Sequence, residues 1–372
     1  MKRLTIVALI AMAVIFVLAA CSNANNNAGA SPGGASPGGS ASVGGSAGGG
    51  TANKVSDLTV GYNAGSDSIE FWANVLGGMK YEAAQEGVGF ISVVSDFDAQ
   101  KIIPNTQQLL MQGAQVIVDG NVNNDIGSNI VDVVKQAGGA GTISIDVEYT
   151  DANGKDKAWF MGIDNQRAGE LCGEALGDAL IKQNRTLEYL VLFFNSENGD
   201  LVKERMGGAV DGLKAKGITL KDDQIQWIDM GGGGSDTTIQ GRDKFSAWLT
   251  AHPDVRTVAT VAVNDETTQG IYAAAQTANR LQDCLMASHN VSEQFKQLAL
   301  NGDPGTTWIG SVAYHPENYG QYIIPLAIDI WTGKNTDPTV KTLMSPEWIP
   351  MSKDAVTAYN DTYNAVIAKW KQ

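Results

Sequence analysis

From residue 58 onward the chain repeats one local pattern: a short apolar run, a polar residue at its end, then a helix-length amphipathic segment. The apolar runs at 58–62, 89–94, 116–118, 142–145 and 159–163 read as strands. Four of the five end in Asp or Asn, at Ser95-Asp96, Asp119-Gly120-Asn121, Asp146 and Asp164-Asn165. Helices fit between them near 100–112 and 126–136. After a helix near 167–182 the pattern starts again, with strands at 187–194, 224–228, 257–263, 297–300 and 308–313. The helices of this half fall on the segment carrying Arg205, on 238–250, on 266–279 and near 321–331. Strands alternating with helices at this spacing require parallel sheets wrapped by helices, so the fold class is α/β in two similar halves. In such sheets ligands bind outside the carboxyl ends of the strands, where this chain concentrates its Asp and Asn residues.

The first unit, LTVGYNAGSDSIEFWANVLGGMKYEAAQEG at 58–87, illustrates the pattern. Leu58, Val60 and Tyr62 alternate as a strand does, and Trp72, Val75, Leu76, Met79 and Ala83 recur at helical spacing. Asp67 followed by Glu70 is a fitting helix start. Asn63, Phe71 and Trp72 are thereby expected at the strand's carboxyl end. Trp72 also fits the core face of its helix.

The first 52 residues are of another kind. Lys2 and Arg3 precede an apolar run to Ala20, which suits either an export signal or a membrane-spanning helix. Val17-Leu18-Ala19-Ala20-Cys21 resembles a bacterial lipobox and favours the former: residues 1–20 form a lipoprotein signal peptide and Cys21 becomes the lipidated N-terminus. Residues 21–53 are then the lipidated cysteine and a Gly/Ser/Ala/Asn-rich flexible tether that cannot bury a core. As a coil it reaches roughly 30 Å, from about 5–6 Å times the square root of residue number. It lacks the Arg and aromatic residues of a nucleic-acid-binding glycine-rich segment.

Charge narrows the partners. Without Lys2 and Arg3 the balance is 24 Lys and Arg against 40 Asp and Glu, a net −16. Such a body repels nucleic acid and anionic lipid and suits a neutral or cationic ligand. Of the three cysteines, Cys172 and Cys284 remain after Cys21; they read as two buried small hydrophobes, with a disulfide in an oxidising exterior as the alternative. His252, His289 and His315 are too scattered for a metal site, no phosphate loop is present, and no cofactor is expected.

Several segments, in order, carry a family resemblance: FWANVLGGMKYEAA, the Asp146 strand end, MGIDNQRAGELCGEAL, KERMGGAVDGLKAKG, VAVNDETTQGIYAAA, LNGDPG and AYHPENYGQYIIPLAIDIWTGK. Together they resemble the ribose/galactose-type (type I periplasmic binding protein) substrate-binding proteins of bacterial ABC transporters, over about 54–372. The ligand-binding halves of lactose-repressor-type regulators share these motifs, but a lipobox stands where a regulator would have a basic helix-turn-helix.

The resemblance implies two lobes joined by three crossovers, near Asp164, near Tyr314-His315 and near 345–351. The N-terminal lobe would be 54–163 plus 315–345 and the C-terminal lobe 164–314 plus 346–372. A sugar between them needs aromatic faces for its ring and planar polar groups for its hydroxyls. The resemblance gives the stacking role to Phe71 and Trp72, with Asn63 beside them, and an acid on the hydroxyls to Asp146. Arg205, in Arg205-Met206-Gly207-Gly208, matches the family's sugar-binding arginine, and Asn264 and Asp303 match two further polar strand ends. Glu197 and Asp200 are looser candidates; a strand-end cap or a surface residue is the alternative for each. The chain departs from the family twice: Tyr314 replaces a crossover glutamine, and four glycines at 231–234 replace an aromatic loop, which puts ribose specificity in doubt.

The implied function is that of a lipid-anchored extracellular solute receptor, not an enzyme. It would capture a mono- or short oligosaccharide and deliver it to ABC transporter permease subunits. It would act as a monomer on the outer face of the cytoplasmic membrane, facing the periplasm if the cell has an outer membrane. A receptor presenting its ligand to a signalling partner, or a tethered carbohydrate-active enzyme, are the alternatives.

Overall fold

The computed structural model describes residues 53–196, 199–231 and 237–371, with the side chain of Asp200 left aside. The signal peptide, Cys21, the tether up to Ala52, Glu197 and Gly232–Gly234 therefore lie outside the described residues.

Two six-stranded sheets organise the body. The first joins β1 (Thr59–Ala64), β2 (Gly89–Val94), β3 (Val116–Asp119), β4 (Gly141–Ile145), β5 (Trp159–Ile163) and β11 (Thr342–Met344) in the order β2-β1-β3-β4-β5-β11, all parallel. The second joins β6 (Tyr189–Phe194), β7 (Ile225–Asp229), β8 (Val258–Ala262), β9 (Cys284–His289), β10 (Trp308–Ala313) and β12 (Glu347–Pro350) in the order β7-β6-β8-β9-β10-β12. Only β12 is antiparallel in that sheet. The sheets share one topology. In each, the order reverses beside the first strand, between β1 and β3 and between β6 and β8, which opens a crevice at those carboxyl ends.

The chain passes between the sheets three times: after β5 through Asp164, after β10 through Tyr314-His315, and between β11 and β12. The inner strands are buried on both faces, as parallel strands covered by helices must be, while the edge strands β2 and β7 stay partly exposed. Val60, Val118, Ile143 and Met161 in one sheet and Leu190, Val261, Leu285 and Val312 in the other are fully covered.

Two helices bear directly on the site. α4 (Asn165–Lys182) follows the first crossover and α5 (Asp200–Ala215) follows β6. They pack backbone to backbone because glycines face each other. A Cβ on Gly169 would lie 1.8 Å from the Arg205 carbonyl oxygen, and one on Gly208 would lie 2.2 Å from that of Gln166. This contact seats Arg205 beside the crossover.

Two elements differ from the sequence expectation. Residues 297–300 are not a strand. The strand is β9, and residues Glu293–Leu300 form a helix, α8, capped by Ser292 Oγ accepting from Phe295 N, with Phe295, Lys296 and Ala299 buried. β9, Cys-Leu-Met-Ala-Ser-His, contains no β-branched residue, so its composition conceals a strand that is wholly buried. The first helix, α1 (Glu70–Glu86), starts after Ile69, and Asp67 does not cap it. The Ser66 hydroxyl instead accepts from the amides of Ser68 and Ile69. Cys172 and Cys284 are buried free thiols, so no disulfide joins them.

Candidate functional site

A cavity of about 580 Å³ lies at the carboxyl ends of both sheets. That is within the range of small-molecule sites, roughly 300–1,000 Å³. Asp96 and Phe97 reach it from the end of β2, Asn121 and Asn123 from β3, and Asp146 from β4. Asn195, Asn264, Asn290 and Tyr314 reach it from the ends of β6, β8, β9 and β10. Ile69, Phe71 and Trp72 come from the start of α1, Arg205 from α5, and Glu266 from α7 (Asp265–Thr277).

Arg205 occupies the floor, nine-tenths buried, with its guanidinium 5.0 Å over the Tyr314 ring. Its Nε and Nη2 donate to Asn165 Oδ1 at 3.0 and 2.8 Å, and its Nη1 donates to the Val263 carbonyl at 2.9 Å. A guanidinium has five N–H groups. Two therefore have no partner among the described residues.

Beneath Tyr314 lies the His289 ring, 5.9 Å away. Its Nδ1 donates to the Ala262 carbonyl, so Nε2 faces the Cys172 sulfur, 3.5 Å away, as an acceptor. Burial and the Arg205 charge hold this imidazole neutral, its pKa lowered to about 3. A second cation is thus kept away from Arg205.

Asp146 takes a left-handed backbone (φ 58°), which an Asp tolerates better than most residues. Its Oδ1 accepts from Ile163 N at 3.3 Å, and the Tyr319 hydroxyl lies 3.2 Å from both oxygens. Burial pushes its pKa up to about 6, against the opposing pull of Arg205, Ile163 N–H and Tyr319. Glu266 is likewise raised, first by burial and then by the charge of Glu70.

Three buried polar atoms of the lining have no hydrogen-bond partner among the described residues: Asn195 Oδ1, Glu266 Oε2 and the Tyr314 hydroxyl. Buried polar atoms are rarely left so, and here they converge on one cavity together with the two spare Arg205 N–H groups. The aromatic side is built from Phe71, Trp72 and Phe97. Phe71 meets Trp72 edge-on at 5.0 Å, and Trp72 meets Phe97 at 5.9 Å. Trp72 lines the cavity and also belongs to the core, at 7% exposure.

The structure thus brings together Phe71, Trp72, Asp146, Arg205, Asn264 and Tyr314. Asn264 serves as a cap as well, its Oδ1 accepting from the amide and hydroxyl of Thr267, which leaves its NH2 group as the one able to serve a ligand. Two expected members lie elsewhere. Asn63 is an interior residue of β1, fully buried, and donates to the Ile102 carbonyl and the Thr106 hydroxyl of α2 (Ala99–Met111). Asp303 follows helix α8, not a strand, and its Oδ1 accepts from Gly305 N in a turn. Asn290, after the true strand β9, reaches the cavity in place of Asp303. Glu197 and the Asp200 side chain lie outside the described residues. Phe97, Asn195 and Glu266 were not expected in the site, although each lies within two residues of a strand end or helix start legible in the sequence. Among the described residues, no group of three or more His, Cys, Asp or Glu is placed to hold a metal ion.

Two sheets of this topology, three crossovers and a polar crevice at the strand ends define a two-lobed α/β binding protein. Residues 60–335 match the family described as periplasmic binding protein domain, and the chain belongs to that family. It is 23% identical over 291 residues to the ribose import binding protein RbsB of Bacillus subtilis, covering 78% of this chain and 87% of that protein. Its fold matches a solute-binding protein of an ABC transporter from Actinobacillus succinogenes 130z, solved with bound D-allose. That match has a TM-score of 0.64 at 17% identity and covers 81% of this chain and 100% of the other. It also matches a galactofuranose-binding protein, with a TM-score of 0.65 at 17% identity over 83% and 99% of the two chains. These relatives are binding proteins, and the protein is not an enzyme.

Proposed function

We propose that the protein captures an uncharged sugar, a mono- or short oligosaccharide, between its two sheets and passes it to an ABC transporter permease. The observation that carries this reading is the pairing of Arg205, with two spare N–H groups, and Asp146 in one cavity edged by Phe71, Trp72 and Phe97. Planar charged groups take ring hydroxyls in pairs and aromatic edges take the apolar ring face. Among the described lining residues three carboxylates, Asp96, Asp146 and Glu266, outnumber one guanidinium, which disfavours anionic ligands. The ribose, allose and galactofuranose binders among its relatives support the ligand class. In this reading the ligand draws the lobes together by contacts with both. The lipobox ending at Cys21 supports an anchor on the outer face of the cytoplasmic membrane, with the tether giving the body reach towards the permease.

Titration calorimetry against pentoses, hexoses and short glucans tests the reading. One site is expected, with Arg205→Ala weakening binding by about tenfold or more, the value of a lost hydrogen bond to a charged group. A panel without a binder, or an Arg205→Ala variant binding as the wild type does, would overturn it. Loss of membrane association in Cys21→Ala cells tests the anchor.

A further inference from the structure

We propose that Asn165 is a positioning residue for ligand capture, one that ties the Arg205 guanidinium to Ile163, the last strand residue before the crossover, which also holds Asp146. This rests on the reading of the cavity as the ligand site. Asn165 is the first residue of α4 and is 5% exposed. Its Oδ1 accepts from both Nε and Nη2 of Arg205, the edge of the guanidinium that fixes its plane. Its Nδ2 donates to the Ile163 carbonyl at 3.2 Å, and the Ile163 amide donates to Asp146 Oδ1 at 3.3 Å.

The two charges facing the ligand come from different halves of the chain, Asp146 from the end of β4 and Arg205 from α5, yet both refer to the peptide groups of one residue, Ile163. The last strand residue before the crossover thereby sets where carboxylate and guanidinium stand relative to each other before a ligand arrives. Such preorganisation reduces the ordering cost of binding. The amide suits both duties. Its oxygen accepts from a cation without neutralising it, and its NH2 supplies the donor that the Ile163 carbonyl needs; a carboxylate has no such donor. Val263 O, holding Nη1, completes the clamp.

The test compares Asn165→Ala, Asn165→Asp, Arg205→Ala and the double variant Asn165→Ala/Arg205→Ala. Thermal melting, sugar calorimetry and the Arg205 Nε–H signal in nitrogen-15 NMR of the ligand-free protein are the readouts. In the wild type the Nε–H is expected to be dispersed and slow to exchange. In Asn165→Ala it should exchange rapidly, with affinity down about tenfold. Asn165→Asp, which keeps the acceptor, should retain the signal. The double variant should bind no more weakly than Arg205→Ala alone, the non-additivity of residues acting as a unit. A purely structural Asn165 would lower the melting temperature while leaving the Nε–H signal and the affinity of the folded protein unchanged, and that result overturns the proposal. Should the wild type bind no sugar, the cavity reading fails on its own account. The Nε–H comparison still decides whether Asn165 holds Arg205.

Discussion

His315 Nε2 lies 3.0 Å from Glu347 Oε2, joining the second passage between the sheets to the start of β12, just beyond the third. On its other side His315 Nδ1 lies 3.2 Å from Glu317 Oε1, a carboxylate 1% exposed. The Tyr359 ring is 5.6 Å away. Burial works against the charged imidazole, but the two carboxylates outweigh it and raise the pKa above the ordinary 6.5. A raised histidine contributes stability that is fully present below its unfolded pKa and lost as pH rises through the folded one. The wild type should therefore lose more stability than His315→Asn as pH rises above 6.5, because only the wild type gives up a proton that the folded chain holds more tightly than the unfolded one. Asparagine tolerates the left-handed backbone (φ 52°) of this position. Thermal melts of both proteins across that interval check it; parallel pH curves would refute it.

Asp146 has the opposite sign. Its carboxyl is raised to about 6 in the folded protein, so ionising it costs stability as pH rises from the ordinary 3.8 through that value. Asp146→Asn should stabilise the ligand-free protein above pH 6 by up to about 3 kcal/mol, at about 1.4 kcal/mol per pKa unit, since an amide oxygen can still accept from Ile163 N and Tyr319. Sugar affinity should fall in the variant, and the decline in wild-type affinity below about pH 6 should disappear. Denaturation and calorimetry on the same samples separate the two effects.

Gly169→Ala places a methyl group on the Arg205 backbone without touching a cavity residue's side chain. Overpacking of this kind costs about 1–3 kcal/mol. The relief must come from a shift of α5, so affinity should drop with stability. Gly207→Ala, one residue before the second contact glycine on α5, meets nothing and should leave binding intact. Equal affinities in the two variants would show that α5 does not transmit the strain.

Asn63 and Asp303 supply the contrast. Asn63→Ala removes a buried donor from the Ile102 carbonyl and should cost about 1–3 kcal/mol of stability, with affinity in the folded protein unchanged. Asp303→Ala should bind sugar as the wild type does. A binding loss in Asp303→Ala would mean that the turn after α8 reaches the ligand.

The alternation of apolar runs and amphipathic segments determined two α/β halves, because burying both faces of a parallel strand demands a continuous apolar run and a covering helix. Polar residues at the run ends pointed to Asp146 and Asn264, and the family resemblance pointed to Arg205 and Tyr314, whereas the glycine-to-glycine packing that seats Arg205 emerged only from the structure. Asn63 looked like a strand end, but β1 runs one residue further, and pleating sends its side chain to the face covered by α2. β9 was concealed because long-range pairing with β8 and β10, rather than local β propensity, makes it a strand. That single error displaced Asn290 in favour of Asp303. The link from Arg205 through Asn165 and Ile163 to Asp146 was beyond the sequence altogether. Arg205 stands 40 residues from Asn165, and Ile163 stands 17 from Asp146. Only the close packing of α4 on α5 brings the guanidinium to the crossover.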